Sequence, residues 1–167
     1  GTGNSTHLGG ELFAVMAGVT LTHVPYKGLG PGLVDLMAGR LQTIFSTAPA
    51  AIPHIKTGRL RGLAVTTAAR SNLLPQLPTV AESGIPGYES GSWYGITAPA
   101  GTPREIVARL NREITTVLGT PDFREQLLNA GADPMPTTPE QFAAYVQIEI
   151  AKWAKVIKLS GAKAESL

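Results

Sequence analysis

The chain has 167 residues, of which 43% are hydrophobic and 16% charged, a net charge of +2 and no cysteine. The length allows one core or two small lobes, and the composition is that of a globular protein. The scattered basic residues exclude a nucleic-acid groove, and the lack of cysteine excludes disulfide and thiolate chemistry. No apolar run reaches the ~18 residues of a membrane span.

The first half alternates short helical and strand-like segments. Periodic apolar residues, helix-starting prolines and terminal glycines predict helices over residues 8–17, 31–38 and 49–57, and strands over residues 21–24, 41–45 and 60–65. Short connections between such elements imply a parallel sheet with right-handed crossovers and therefore an α/β fold. Ligands of such sheets bind at the carboxyl ends of the strands.

A Pro- and Gly-rich connection follows over residues 68–91, with a short helix expected at residues 80–83 under a Thr79 cap. Residues 92–98 are then predicted to form a strand.

Three cap-and-proline patterns predict the helices of the last third. Thr102 and Thr138 each begin a capping box, and Thr120 precedes a proline at a third helix start. The final helix is expected to bury one face, formed by Phe142, Val146, Ile150, Trp153 and Ile157. Since no strand follows residue 98, the apolar faces of these helices need a sheet or a partner from elsewhere.

Residues 1–7 form a loop of glycines and hydroxyl-bearing residues directly before the first helix. Backbone N–H groups at a helix N-terminus attract negative charge, so the loop is a candidate anion-binding site. Its candidate ligand-binding residues are Gly3, Asn4, Ser5, Thr6 and His7. An ordinary helix cap explains the same residues as well. With no nucleophile and no acid placed to orient His7, the pattern favours a protein that holds an anion without transforming it.

Further candidates follow the predicted strands. Tyr26 and Lys27 follow the first strand, and Tyr26 is preferred because its ring can line a cleft while its hydroxyl reaches a ligand. Ser46 and Thr47 follow the second strand, although both also suit a cap of the next helix. Asp35 is expected on a solvated helix face.

No catalytic residue, cofactor or metal ligand is assigned. The two other histidines, His23 and His54, are too distant along the chain from His7, and too poorly supported by acidic neighbours, for a zinc site.

Five motifs together resemble a known family. They are G-x-G-x-S-x-x-H-L-x-G-E-L-F at residues 1–13, H-V-P-Y-K-G at 23–28, P-H-I-K-x-G-x-L-R-x-L-A-V-T at 53–66, L-P-T-V-A-E-S-G-x-P-G-Y at 77–88 and S-W-Y-G-I-x-A-P-A-G-T-P at 92–103. In this order they resemble the Bug (TctC-type) solute-binding proteins of tripartite tricarboxylate transporters. The resemblance covers essentially the whole chain.

The resemblance implies a periplasmic receptor with a type II periplasmic-binding-protein fold, in which two α/β lobes close on a small carboxylate and deliver it to membrane permease subunits. Family members are nearly twice as long, so the chain is expected to be a C-terminal half. Residues 1–91 would form most of the second, ligand-binding lobe with its parallel-rich sheet. Residues 92–167 would supply a crossing strand and helices of the first lobe, whose sheet is largely absent.

The resemblance also implies roles for the loop. Gly3 would allow close approach of a carboxylate, and Ser5 and Thr6 would donate hydrogen bonds to it. Many relatives carry an acidic or amide residue near Ser46, so the hydroxyl here favours a plain carboxylic acid over an amino acid.

Two other classes of function stay open on the residues alone. The first is an α/β transferase or hydrolase that uses the loop as an anion cradle, although the P-loop lysine and a nucleophile elbow are missing. The second is an assembly module, a homodimer formed through exposed C-terminal helices.

Overall fold

The computed structural model describes residues 1–162, which form helices joined by irregular segments. In chain order the helices are α1 (Ser5–Ala17), α2 (Leu29–Met37), α3 (Ala48–Lys56), α4 (Arg104–Gly119), α5 (Pro121–Asn129) and α6 (Pro139–Ser160). All six predicted long helices are therefore confirmed, with starts that differ by at most three residues. None of the helices within this range is long and apolar enough to cross a membrane.

Glycine ends the early helices as predicted. Gly18 is the C-cap of α1 with φ 65°, and its N–H donates to Ala14 O. Gly39 and Gly58 follow α2 and α3 with φ 74° and 71°. Only glycine adopts this left-handed conformation without strain, which is why these positions mark helix ends in the sequence.

Threonine caps differ between the predicted helix starts. At α6, Thr138 and Gln141 form the expected box, because the Gln141 N–H donates to Thr138 Oγ1 (3.2 Å) and the Thr138 N–H donates to Gln141 Oε1 (2.9 Å). At α4 the predicted box is wrong: Thr102 Oγ1 donates back to Pro99 O, and Pro103 is the N-cap. Thr120 is the N-cap of α5 and precedes Pro121 as predicted, but its Oγ1 donates back to Val117 O and makes no cap bond.

Thr79 also caps as predicted, although no helix follows it. The Glu82 N–H donates to Thr79 Oγ1 at 3.0 Å, and the Thr79 N–H donates to Glu82 Oε2 at 2.9 Å. Residues 80–84 form a turn in place of the short helix expected there.

The predicted strands do not form among residues 1–162. The segments at 21–24, 41–45, 60–65 and 92–98 contain a single parallel bridge, between Val65 and Thr79. Alternating apolar residues form a strand only when a neighbouring segment completes the hydrogen-bond ladder. Their side chains stay uncovered, as Leu63 at 64% and Ile96 at 72% exposure illustrate.

The structure separates into two units. The first consists of Gly1–Ser92 with the chain from Trp153 onward, and the second of Trp93–Lys152. In the first unit, Phe13 packs against Phe45 and Tyr88, with ring centroids 5.8 and 6.2 Å apart. In the second, Trp93 packs edge-on against Phe142 and Tyr145.

The buried face of α6 differs from the predicted one. Phe142, Val146 and Trp153 are half-buried as expected, but Ile150 and Ile157 are exposed. Glu149 and Val156, one position before each of them, are buried instead. The helix is thus rotated so that a carboxylate, paired with Lys152 at 3.6 Å, lies on the buried face.

Candidate anion-binding loop

Residues 1–7 contain the start of α1 and the side-chain cap that precedes it. Gly3 has φ 82°, a left-handed conformation, and Asn4 next to it is the N-cap of the helix. The Asn4 side-chain oxygen accepts the His7 N–H at 2.9 Å. The cap that the residues suggested is therefore formed, and the loop lies at the positive end of α1.

Several donors of the loop are engaged inside it. The Thr6 hydroxyl donates to Asn4 Oδ1 at 2.8 Å, and the Gly3 N–H donates to His7 Nδ1 at 3.0 Å. The N–H groups of Ser5 and Thr6 have no acceptor within residues 1–162, as expected for the first turn of a helix. The first turn of α1 carries no acidic residue. An anion at this helix end would meet two donors and no carboxylate of the first turn.

The side chain of His7 is buried and contacts those of His23 and Glu11. Its side chain is 7% exposed, and its ring stacks on that of His23 with centroids 3.9 Å apart. Its Nε2 lies 3.3 Å from Glu11 Oε1, one helical turn further along. The expectation that no acid orients His7 is wrong, and the i,i+4 spacing on a helix was the signal that could have identified Glu11.

Ser5 bonds to a residue far along the chain. Its Oγ lies 2.7 Å from the Oγ of Ser92, and either hydroxyl can donate. Ser92 was not among the candidate residues. Nothing in its local sequence distinguishes it, because the contact spans 87 positions.

Tyr26 lies beside the loop, and its hydroxyl is already in use. A methyl group built on Gly1 would lie 4.0 Å from Tyr26 O. The Tyr26 hydroxyl donates to Asp35 Oδ2 at 2.8 Å, and Arg40 donates to the other oxygen of Asp35 at 2.8 Å. Asp35 is therefore paired rather than merely solvated, which corrects the expectation for it.

These contacts shift the pKa values of both Tyr26 and Asp35. The hydrogen bond from Tyr26, with a further one from Arg40, lowers the pKa of Asp35. The same hydrogen bond to the Asp35 carboxylate, with burial adding to it, raises the pKa of Tyr26. Tyr26 thus keeps its proton and directs it at Asp35, so its oxygen faces other groups as an acceptor.

Neither Ser46 nor Thr47 forms a hydrogen bond to residues 1–7 in the described part of the chain. Ser46 Oγ donates to Thr47 O at 3.2 Å. Thr47 is the N-cap of α3 without a side-chain cap bond. Lys27 is exposed. Among residues 1–162, no three His, Asp or Glu side chains are grouped so that they could hold a metal ion.

Comparison with known proteins identifies close relatives. Residues 1–162 match the family model described as "Tripartite tricarboxylate transporter family receptor" (TctC). The chain is 38% identical to Protein BugT of Bordetella pertussis over 96% of this chain and 49% of that protein. It thus spans about half the length of this relative.

Solved structures agree with the family match. The chain superimposes with a TM-score of 0.83 on the R. palustris protein Rpa4515, solved with adipate, at 45% identity over 96% of this chain and 54% of that chain. The periplasmic binding protein BugD gives 0.77 at 33% identity, over 95% and 54%. MatC from Rhodopseudomonas palustris, solved with bound malate, gives 0.72 at 32% identity, over 91% and 53%. The fold is therefore that of this group of binding proteins.

Proposed function

Since the chain belongs to the tripartite tricarboxylate transporter receptor family, we propose that it is the carboxylate-binding half of a periplasmic solute receptor. In this role it captures a small organic acid and, within the complete receptor, presents it to the membrane permease subunits. Adipate and malate, the compounds present in the structures of two relatives, are both dicarboxylates. They define the ligand class that we propose here.

The observation that carries the proposal is the set of donors at the start of α1. The N–H groups of Ser5 and Thr6 and the Ser5 hydroxyl belong to the first turn of a helix, and that turn has no acidic residue. The helix macrodipole and these donors favour a carboxylate there. Hydrogen bonds to a charged group contribute about 1.5–3 kcal/mol each, enough for capture without a buried salt bridge.

The same contacts favour binding over catalysis. A general base needs a ring nitrogen free to accept a proton from the substrate or its nucleophile. In His7, Nδ1 accepts the Gly3 N–H and Nε2 faces Glu11. We therefore propose that His7 and Glu11 shape the loop and that the chain carries out no reaction.

The complete receptor in this proposal consists of this chain and the half that relatives such as BugT carry in addition. Residues 1–91 belong to the ligand-binding lobe and residues 92–167 to the crossing segment and the helices of the other lobe. Segments 21–24, 41–45, 60–65 and 92–98 become strands once neighbouring segments complete the sheet. The same assembly would cover the apolar face of α4, where Ile106, Leu110 and Val117 are exposed.

That exposed face supports a second state for the chain on its own. Without the rest of the receptor, burial of Ile106, Leu110 and Val117 against a second copy would stabilise a homodimer. Size-exclusion chromatography over a range of concentrations tests this state. A dimer that dissociates in a Leu110→Glu variant is expected, and a monomer at every concentration would contradict it.

A thermal-shift comparison tests the receptor function. The chain and the complete receptor are heated with acetate, malate, adipate or citrate, and with dimethyl adipate as an uncharged control. A dicarboxylate at one hundred times its dissociation constant should stabilise the receptor by about 2.7 kcal/mol, whereas the ester should give no shift. Equal shifts with acid and ester, or none with any acid, would contradict the proposal.

The same assay tests whether the receptor prefers a plain carboxylic acid to an amino acid. Malate and aspartate differ by a hydroxyl in place of an amino group, and Ser46 offers no negative charge to an ammonium. We propose that malate stabilises the receptor more than aspartate does. The reverse order would place an acidic group of another segment at the ligand.

A further inference from the structure

The hydroxyl groups of the loop are not equally available to a ligand. Thr6 Oγ1 donates its one proton to Asn4 Oδ1 at 2.8 Å. That Asn4 oxygen also accepts the His7 N–H, so it is held in place by the helix backbone. A serine or threonine hydroxyl has one proton to donate and two lone pairs to accept with. A carboxylate can therefore receive a hydrogen bond from Thr6 only after the bond to Asn4 is broken.

Ser5 differs because its partner is another hydroxyl. The Oγ atoms of Ser5 and Ser92 are 2.7 Å apart, the usual distance of an O–H···O hydrogen bond, and either can donate. When Ser92 donates, Ser5 accepts and keeps its own proton for a further acceptor. Ser5 is half-buried whereas Ser92 is exposed. The pair thus leaves one donor in the loop that does not have to break an internal bond.

The backbone around Ser92 is fixed against α1. The hydroxyl of Tyr88 donates to Gly9 O at 3.0 Å, and the Ser90 N–H donates to Thr66 O at 2.8 Å. A Cβ on Gly9 would lie 2.7 Å from Ser90 Oγ, so this close approach depends on a glycine in the helix. Residues 88–92 therefore run along the first half of α1 and bring the Ser92 hydroxyl to Ser5.

We propose that Ser92 is a positioning residue for carboxylate binding, which donates to Ser5 Oγ and makes Ser5, rather than Thr6, the side-chain donor to the ligand. The inference rests on the proposed receptor function. Hydrogen bonds in a chain polarise one another, so a Ser5 hydroxyl that accepts from Ser92 donates more strongly to a carboxylate. Ser92 acts on the ligand only through Ser5.

A double-mutant cycle tests this assignment. Isothermal titration calorimetry with adipate is carried out on the complete receptor and on its Ser5→Ala, Ser92→Ala and doubly substituted variants. Loss of a hydrogen bond to a charged group should lower the affinity of Ser5→Ala about tenfold or more, and loss of a neutral one should lower that of Ser92→Ala about two- to tenfold. The double variant should bind as Ser5→Ala does, because Ser92 has then nothing left to orient.

Thr6→Val tests the competing side-chain donor, since it removes the neighbouring hydroxyl, keeps the shape of the side chain and leaves the Thr6 N–H in place. We expect its affinity for adipate to fall less than that of Ser5→Ala, because the Thr6 hydroxyl donates to Asn4 Oδ1 and not to the ligand. A loss as large as that of Ser5→Ala would overturn the assignment of Ser5. An equal loss from Ser92→Ala in both backgrounds, or no loss at all, would overturn the role of Ser92.

A second pair of variants separates the effect of the Ser92 hydroxyl on binding from an effect of the substitution on folding. Ser92→Thr and Ser92→Val have nearly the same shape, and only the first keeps a hydroxyl. Ser92→Thr should bind adipate as the wild type does, and Ser92→Val should reproduce the loss. Equal affinities of the two would contradict the proposal. If the wild-type receptor binds no carboxylate, the receptor function itself fails, whereas binding without coupling removes only the role of Ser92.

Discussion

The first unit and helix α4 of the second unit differ in how they bury their side chains. Tyr88 and Thr79 of the first unit are 1% and 2% exposed, and their polar atoms bond to backbone groups of the same unit. In α4, by contrast, no residue is buried, and Ile106, Leu110 and Val117 are each about half exposed. The first region has a core that residues of this chain fill around Tyr88 and Thr79, whereas α4 presents an apolar face that other residues must cover.

Tyr88 should give the largest contrast. Truncation of a buried aromatic side chain costs about 3–5 kcal/mol, so Tyr88→Ala should lower the free energy of unfolding by that amount. Leu110→Ala, at a position exposed in the monomer, should stay within about 0.5 kcal/mol at concentrations too low for a dimer to form. Urea unfolding measures both. A Leu110→Ala variant that loses as much as Tyr88→Ala would mean that α4 is already covered in the isolated chain.

Alkaline pH should weaken the same region. Burial raises the pKa of Tyr88 to about 12 from its ordinary value of 10.0. Because the folded state holds the proton more tightly, stability is retained below pH 10 and lost as the pH rises through 12. A pKa shift of this size corresponds to a loss of about 2–3 kcal/mol in the free energy of unfolding.

The measurement is urea unfolding at a series of pH values, with tyrosinate absorbance recorded in parallel. Tyr88→Phe removes the titrating group and keeps the ring, so its stability should fall less over this range. If wild type and Tyr88→Phe lost stability in parallel, the titration of Tyr88 would not be the cause.

Gly95 lies at a tightly packed place in the second unit. A Cβ at this position would overlap the ring of Phe142, which packs edge-on against Trp93. Gly95→Ala should therefore destabilise the protein by about 1–3 kcal/mol and change the Trp93 fluorescence. Gly119→Ala is the control, since nothing lies within 4 Å of its Cβ and its φ is not positive. Equal effects of the two would show that the aromatic cluster is loose.

The helix caps of the second unit should give the smallest effects. Thr138→Ala removes the N-terminal cap of α6 and should lower the free energy of unfolding by about 1 kcal/mol. Thr102→Ala removes a hydroxyl that bonds to Pro99 O and caps no helix, so it should change the stability by less than about 0.5 kcal/mol. Thermal unfolding of the two variants distinguishes them. The reverse order would restore the capping box that the sequence predicted at α4.

Local features of the fold could be predicted from the sequence. Gly18, Gly39 and Gly58 mark helix ends because a left-handed residue is needed there, whatever the tertiary structure. The strands could not be predicted reliably, since a strand depends on a partner segment, and residues 1–162 supply only the Val65–Thr79 bridge.

The buried face of α6 shows the same limit. Apolar periodicity favours Ile150 and Ile157, but Glu149 and Val156 are buried in their place. Periodicity alone does not register an ion pair such as that between Glu149 and Lys152.

In the candidate site, too, local contacts could be predicted from the sequence and distant ones could not. The cap formed by Asn4, Thr6 and His7 lies within four residues and could be anticipated from residue types. The contact between His7 and Glu11 follows from their i,i+4 spacing on a helix and could have been predicted. Ser92 meets Ser5 only because residues 88–92 fold back along α1, and no local pattern reports that contact.

A crystal structure of the complete receptor with adipate tests the central claim most directly. One adipate carboxylate should lie about 2.7–3.2 Å from the N–H groups of Ser5 and Thr6 and from the Ser5 hydroxyl, with Ser92 still bonded to Ser5. Adipate bound elsewhere, with the start of α1 unoccupied, would contradict the claim that this helix end captures the carboxylate.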